Sequence, residues 1–402
     1  MAKLLWGQVY YQNVYAGILA QEPGERMSFT YDQSYLSSGN PAIAHTLPLQ
    51  PESFIQPMGL PPYFDNLVAE GWLEHAQTKM LGKRSVTRFE LLLAYGYDCA
   101  GAISIADPEP IALTQALQEL SDPKEIAVFT NRSSLSGVQP KLALVQRKGK
   151  YYPSQFNELS TYIGKFPSRE HADLIINEYL TTLAFSALCP DDQVVELEVG
   201  EVVGFSEPVL IIKRFDRAAE KRLHFEEMNQ LLGKSSQAKY QGAYKDMADF
   251  IKQTKACIPS EIYRLYQRVL AGLLLGNTDM HLKNFAMFHT NAGLRLTPTY
   301  DQVAAALYDY KTIALTLAGV TNLPLGKLKQ GNILQLGKEF NLSKDVIAML
   351  IKQLEHNRIA AEQAILQANV GSSPFKDKLI QLMRKRWNGT FALIGQHLLK
   401  KP

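Results

Sequence analysis

An α+β fold is the class the sequence predicts, and three observations carry it. Strand-like stretches recur from the N-terminus to Arg222. From Leu223 onward the apolar spacing turns helical. Between the helical runs lies a polar loop followed by a short hairpin. The chain has 402 residues, 46% hydrophobic and 20% charged, which is enough for more than one core. A net charge of +3 permits an anionic partner without arguing for one. The basic clusters, Arg384, Lys385, Arg386 and Lys400–Lys401, read as solvated helix faces. Three widely spaced cysteines, Cys99, Cys189 and Cys257, form no CxxC, which speaks against a zinc site or a disulfide framework and fits a reducing cytoplasm. The N-terminus turns polar by Gln8 and no run approaches 18 apolar residues, so neither a signal peptide nor a membrane span is expected.

The elements follow in order. "QVYYQNVYAGIL" reads as a hairpin turning near Asn13, and "MSFTYDQSYL" as a further strand. The Pro-rich stretch after His45 predicts an irregular loop and then one helix through "FDNLVAEGWLEHAQTKML". "VTRFELLLAYGYDCAGAISI" predicts helix, turn and strand, with a boundary near Pro108. Residues 126–166 predict a β region, with a Lys-Gly turn inside "KLALVQRKGKYYPSQ" and a strand in "STYIGKFP". A helix is expected from about Arg169 to Leu188, then two strands flanking Gly204, the second ending in "IIKRFDR". "EIYRLYQRVLAGLLL" has an i, i+3, i+4, i+7 stripe, and Gly276 sits where its C-terminus belongs. "FAMFH" and "GLRLTP" form a hairpin, and the last 60 or so residues are helical. The expected domains are 1–108, 109–222 and 223–402.

The chemistry concentrates in "LLLGNTDMHLKNF", Leu273 to Phe285. Asp279 is followed five residues on by Asn284, and Asp301 stands behind the hairpin. This is the layout of a phosphoryl-transfer centre: a loop Asp takes the acceptor hydroxyl proton, while hard oxygen donors from two chain segments hold Mg²⁺. Lys283 is placed to offset phosphate charge. Each part has a plainer reading: Asp301 serves equally as N-cap to a helical "QVAAAL", and His281 as a structural hydrogen bonder. Upstream, "SSLSGVQPKLALV" offers small residues before a strand, suited to phosphate contact or to an ordinary Ser-rich turn. Lys165 in "TYIGKFP", with Glu178 on the next helix, matches a strand Lys that reaches phosphates and pairs with a helix Glu, and reads equally as a surface lysine.

Together, "SSLSGVQPK", "YIGKFP", "NEYL", "KRFDR", "GNTDMHLKNF" and "LTPTYD" resemble, in order, the HipA-like serine/threonine kinases, toxins of type II toxin–antitoxin pairs. "LPLQ", "FDNL" and "GYDCAGAISI" resemble the family's N-terminal module, so the likeness spans about residues 5–310. It implies a bilobal protein-kinase-like α+β fold with an extra N-terminal α/β module and an all-α C-terminal lobe. It implies ATP and Mg²⁺ as cofactors, Asp279 as base with His281 and Lys283 beside it, and Asn284 and Asp301 as metal ligands. Ser136, Gly137, Val138, Gln139 and Lys141 match the nucleotide loop, Lys165 the phosphate lysine, and Lys213 and Phe215 the adenine-facing hinge. Ser134 matches the autophosphorylation serine, and Ser136, where the family usually has Ala, forms a Ser-x-Ser pair with it. Pro140 and Lys213 stand where acids are usual, and Lys213 leaves only backbone contacts to the adenine amine. The implied partners are a protein substrate such as an aminoacyl-tRNA synthetase, and a helix-turn-helix antitoxin bound to operator DNA. A catalytically weak corepressor of that antitoxin is the alternative. A small-molecule kinase is a third reading, against which the fused N-terminal module speaks.

Overall fold

The computed structural model describes residues 4–83, 85–109, 122–131, 133–135, 137, 139–156, 158–168, 170–171, 173–219 and 221–399. The chain divides into two compact units. The first is Met1–Arg169 with Gly200–Gln237, and the second is Glu170–Val199 with Ala238–Pro402.

The first unit begins with a five-stranded antiparallel sheet ordered Phe54–Gln56, Met27–Tyr31, Val14–Gln21, Trp6–Tyr11, Ile103–Ala106. Gln12 and Asn13, at φ 48° and 66°, form the two-residue turn that the strand twist favours. One face buries Val9, Leu19 and Phe29, and the same hydrophobic cluster continues through Leu92 to Leu142, Leu144 and Ile211. Those last residues belong to a second antiparallel sheet, ordered Lys150–Pro153, Lys141–Arg147, Tyr162–Lys165, Val209–Lys213. The N-terminal sheet and this one therefore share a core.

Two sequence expectations change here. The single helix through Phe64–Leu81 is split into Pro62–Asp65 and Gly71–Leu81. Asn66 and Glu70 turn inward at the break. Asn66 Nδ2 donates to the Lys234 carbonyl at 2.8 Å, and Glu70 accepts from Ser236 Oγ at 2.6 Å. The stretch from 126 to 131, expected within a β region, belongs to the helix Pro123–Asn131. Asp122 accepts from the Lys124 N–H at 2.9 Å, and Pro123 suits a first helical turn, where its missing N–H leaves no bond unmade.

A buried ionic cluster joins the two sheets. Arg217 Nη2 meets Asp98 at 2.8 Å, Arg214 Nη2 meets Asp216 at 2.8 Å, and Arg217 Nη1 meets Asp216 at 2.7 Å. Ser160 Oγ donates to Asp98 at 2.5 Å. The turn in "GYDCAG" supplies carbonyls: Cys99 to both Arg214 and Arg217, and Tyr97 to Arg222. Much of "KRFDR" therefore points into the unit's interior.

In the second unit the helix Leu174–Leu188 packs along Lys344–Gln367. Glu261–Leu275 is buried over most of its length. Asp192 clamps this helix through Arg268 at 2.6 Å and Arg264 at 2.6 Å. The hairpin Ala286–Thr290 with Gly293–Leu296 follows, so a strand pair interrupts the helices. Arg384 pairs with Glu362 at 2.5 Å and Lys385 is exposed, but Arg386 is buried and donates to the Leu325 carbonyl at 2.6 Å, unlike the solvated face expected. Lys400 and Lys401 lie outside the described residues. Cys99, Cys189 and Cys257 are buried free thiols, and no described helix is long and apolar enough to cross a membrane.

Candidate active site

In the second unit, the helix Glu261–Leu275 ends at Gly276 in the left-handed region, φ 82°. The loop that leaves it is packed from below. A Cβ on Gly272 would lie 2.3 Å from Met280 Sδ, so the glycine leaves room for the Met280 side chain in its present position. Asn277 Oδ1 accepts from the Asp279 N–H at 3.1 Å, and the Asp279 carbonyl accepts from the His281 N–H at 2.8 Å. The Asp279 backbone is thereby fixed at both ends.

Asn284 links the two ends of the expected metal site. Its Oδ1 accepts from the His281 N–H at 3.0 Å, and its Nδ2 donates to Asp301 Oδ2 at 2.7 Å. Asp301 itself sits at φ 58°, a left-handed conformation that Asp tolerates better than most residues. Residues 301–304 form no helix, so the capping alternative for Asp301 does not hold. An amide oxygen and a carboxylate from two chain segments are hard donors, and Asn284 keeps a second lone pair free of the His281 bond by its chemistry. This donor set fits Mg²⁺.

Burial pushes the Asp279 carboxyl up to about 6. The charge of Asp301 adds to the rise, while a hydrogen bond from Tyr240 and the Lys239 cation oppose it. Tyr240 Oη donates to Asp279 Oδ1 at 2.9 Å, and its ring meets that of His281 edge-on at 5.0 Å. Lys283 and His281 are buried, and the Lys283 carbonyl accepts from Tyr300 Oη at 2.7 Å. The structure thus brings Asp279, His281, Asn284 and Asp301 into one hydrogen-bonded loop system. Sequence reasoning missed Tyr240 and Asn277.

The first unit holds the other expected residues. Lys141 and Lys165 are register partners on adjacent strands, so their side chains share one face about 5 Å apart at Cβ. Both are buried. Gly137 lies at φ +104°, and a Cβ there would meet Lys141 Nζ at 2.3 Å. Gln139 Nε2 donates to the Phe166 carbonyl at 2.8 Å, and the Pro140 carbonyl accepts from the Phe166 N–H at 2.9 Å. Pro140 thus serves the strand through its backbone. Ser134 is buried, and its Oγ donates to the Leu67 carbonyl in "FDNL" at 2.6 Å. Ser136 and Val138 lie outside the described residues. Lys213 is exposed, and Phe215 packs its ring 5.0 Å from that of Phe225. Glu178 is fully buried on the helix Leu174–Leu188 of the second unit.

Residues 133–362 match the HipA-like C-terminal domain, and residues 7–106 match the HipA N-terminal domain. The chain belongs to the HipA family. The serine/threonine-protein kinase toxin HipA of Shewanella oneidensis is 30% identical over 313 residues, 69% of this chain and 70% of that protein. Among solved structures, a HipA of Shewanella oneidensis MR-1, in complex with HipB and operator DNA, superposes with a TM-score of 0.70 at 21% identity. It covers 97% of this chain and 99% of that one. The Helicobacter pylori proinflammatory kinase CtkA gives a TM-score of 0.50 at 14% identity, over 67% of this chain and 96% of that one. Both structural likenesses are likenesses of fold, and they place this HipA-family chain in the kinase-like α+β class.

Proposed function

We propose that this HipA-family chain is an ATP- and Mg²⁺-dependent kinase that phosphorylates a serine or threonine hydroxyl of a protein. The observation that carries the reading is the Asn284–Asp301 hydrogen bond at 2.7 Å, in a loop that also holds the half-buried Asp279. Asp279 takes the acceptor proton on its carboxylate, and a value of about 6 lets it be ionised near neutrality yet basic enough to serve. Asn284 and Asp301 hold Mg²⁺, which offsets phosphate charge when bound. Lys141 and Lys165 hold the nucleotide phosphates, and Ser136, Gly137, Val138 and Gln139 are the proposed nucleotide-binding residues beside them in the sequence. Lys213 and Phe215 meet the adenine, and Lys283 and His281 flank the transferred group. Ser134, and Ser136 with it, are the proposed autophosphorylation sites.

The acceptor class that the family resemblance names is the aminoacyl-tRNA synthetases, in the cytoplasm. A helix-turn-helix antitoxin and its operator DNA are the proposed restraint, a reading supported by the HipB and DNA in the related complex. The domain division into 1–108, 109–222 and 223–402 goes with the same proposal.

The test is transfer of labelled γ-phosphate from ATP with Mg²⁺, by wild type and Asp279→Ala. A general base is worth about 10²–10⁴-fold, and a loss in that range is expected. Undiminished labelling in Asp279→Ala refutes the base assignment. The corepressor reading, favoured by the same related complex, predicts no ATP binding by calorimetry with or without Mg²⁺.

A further inference from the structure

The sequence motifs of the catalytic loop account for the Asp279 backbone but leave open what sets the direction of its carboxylate. Among the described residues, the hydrogen bond recorded to that carboxylate comes from Tyr240, 39 residues upstream, at 2.9 Å on Oδ1. We infer that Tyr240 is the positioning residue of the base: its hydroxyl holds Oδ1 so that Oδ2 is presented to the incoming acceptor hydroxyl. This inference rests on the kinase reading.

Several contacts hold Tyr240 in that role. The Lys239 carbonyl accepts from the Leu282 N–H at 3.1 Å, so the segment is tied by its backbone to the catalytic loop. Tyr244 Oη, four residues on, donates to the Met280 carbonyl at 3.2 Å. These two ties bracket Tyr240 along the chain. The ring is fixed on one side by the edge-on His281 imidazole, and Lys239 Nζ lies 5.7 Å from its centroid. At 49% exposure, Tyr240 also reaches solvent beside a half-buried base. A side chain that is tethered, donates to the base and remains open to solvent stands where an acceptor has to approach. Its hydroxyl also favours the ionised carboxylate, against the burial that opposes it.

The alternative is that Tyr240 merely packs its ring on His281. Tyr240→Phe separates the two, because it keeps the ring and deletes only the hydroxyl. The positioning role predicts that kcat for phosphoryl transfer falls roughly tenfold or more, since the lost bond is one to a charged group. KM for ATP is expected to stay within about twofold, because Tyr240 acts on the acceptor side. Rates are normalised to the nucleotide-binding stoichiometry from calorimetry, so a partly misfolded preparation does not mimic the effect. In an Asp279→Asn background, Tyr240→Phe is expected to add no further loss. A kcat equal to wild type in Tyr240→Phe, or an independent loss in the double variant, overturns the inference while leaving an active wild type as a kinase. An inactive wild type instead removes the kinase reading, and the inference falls with it.

Discussion

Asp98→Ala is the perturbation with the most calculable outcome. The Asp98 side chain is 2% exposed and takes Arg217 Nη2 at 2.8 Å, Arg214 Nη1 at 3.4 Å and Ser160 Oγ at 2.5 Å. Removing it leaves Asp216 to face two guanidiniums that are themselves 2% and 1% exposed. Breaking one partner out of a buried ion pair costs about 3–5 kcal/mol, because the remaining charge is stranded. For a unit of this size, each kcal/mol moves Tm by about 2–4 °C, so a fall of about 6–20 °C is expected. The assay is thermal unfolding of the full chain by circular dichroism at neutral pH. Burial would raise the Asp98 carboxyl, but Arg214 and Arg217 outweigh it and hold the group low, and the same pair depresses Asp216 further. A depressed carboxyl stabilises the fold above its unfolded value, about 3.9, and loses that contribution as pH falls toward the folded value. The gap between wild type and Asp98→Ala should therefore narrow below about pH 4. A Tm change under about 2 °C at neutral pH refutes the claim that the cluster ties the two sheets together.

The remaining predictions concern the candidate site. Phosphoryl transfer should rise with pH through about 6 as Asp279 ionises, and a flat kcat profile from pH 5 to 8 argues against it as base. Because the folded value lies above the unfolded one, the ionised Asp279 destabilises the fold progressively from about pH 4 to 6. Asp279→Asn should then gain about 1–2 kcal/mol at neutral pH, read by denaturant midpoint. Gly137→Ala places a Cβ 2.3 Å from Lys141 Nζ and strains a φ of +104°, so ATP affinity by calorimetry should fall about tenfold. Equal affinity would show that the loop does not set the lysine.

Several features were legible because they depend on local spacing. The apolar stripe from Ile262 to Leu274 and the Gly276 stop mark the helix before the candidate catalytic loop, and the structure places both there. The five-residue step from Asp279 to Asn284, with Asp301 behind a hairpin, was readable for the same reason, and the structure joins Asn284 to Asp301. The Tyr240–Asp279 contact was not legible, because no periodicity links residues 39 apart. The Asp98–Arg214 pair, 116 apart, depends on two sheets sharing a core. The helix break at Asn66–Glu70 is held by bonds to Lys234 and Ser236, far along the chain, and Gly71, at φ 59°, is its local signal.

The Ser134 bond to Leu67 has a consequence for how this protein can vary. Its acceptor is a main-chain carbonyl, so substitution of the side chain at position 67 leaves the acceptor in place while the backbone keeps its course. Drift in "FDNL" can change the packing around the bond without cutting it. The donor is the genetically accessible end: a single codon change at Ser134 removes the hydroxyl. A search for variants that release this loop should therefore find them clustered at position 134 and at residues that bend the backbone of 66–68, with conservative exchanges of Leu67 among the silent ones.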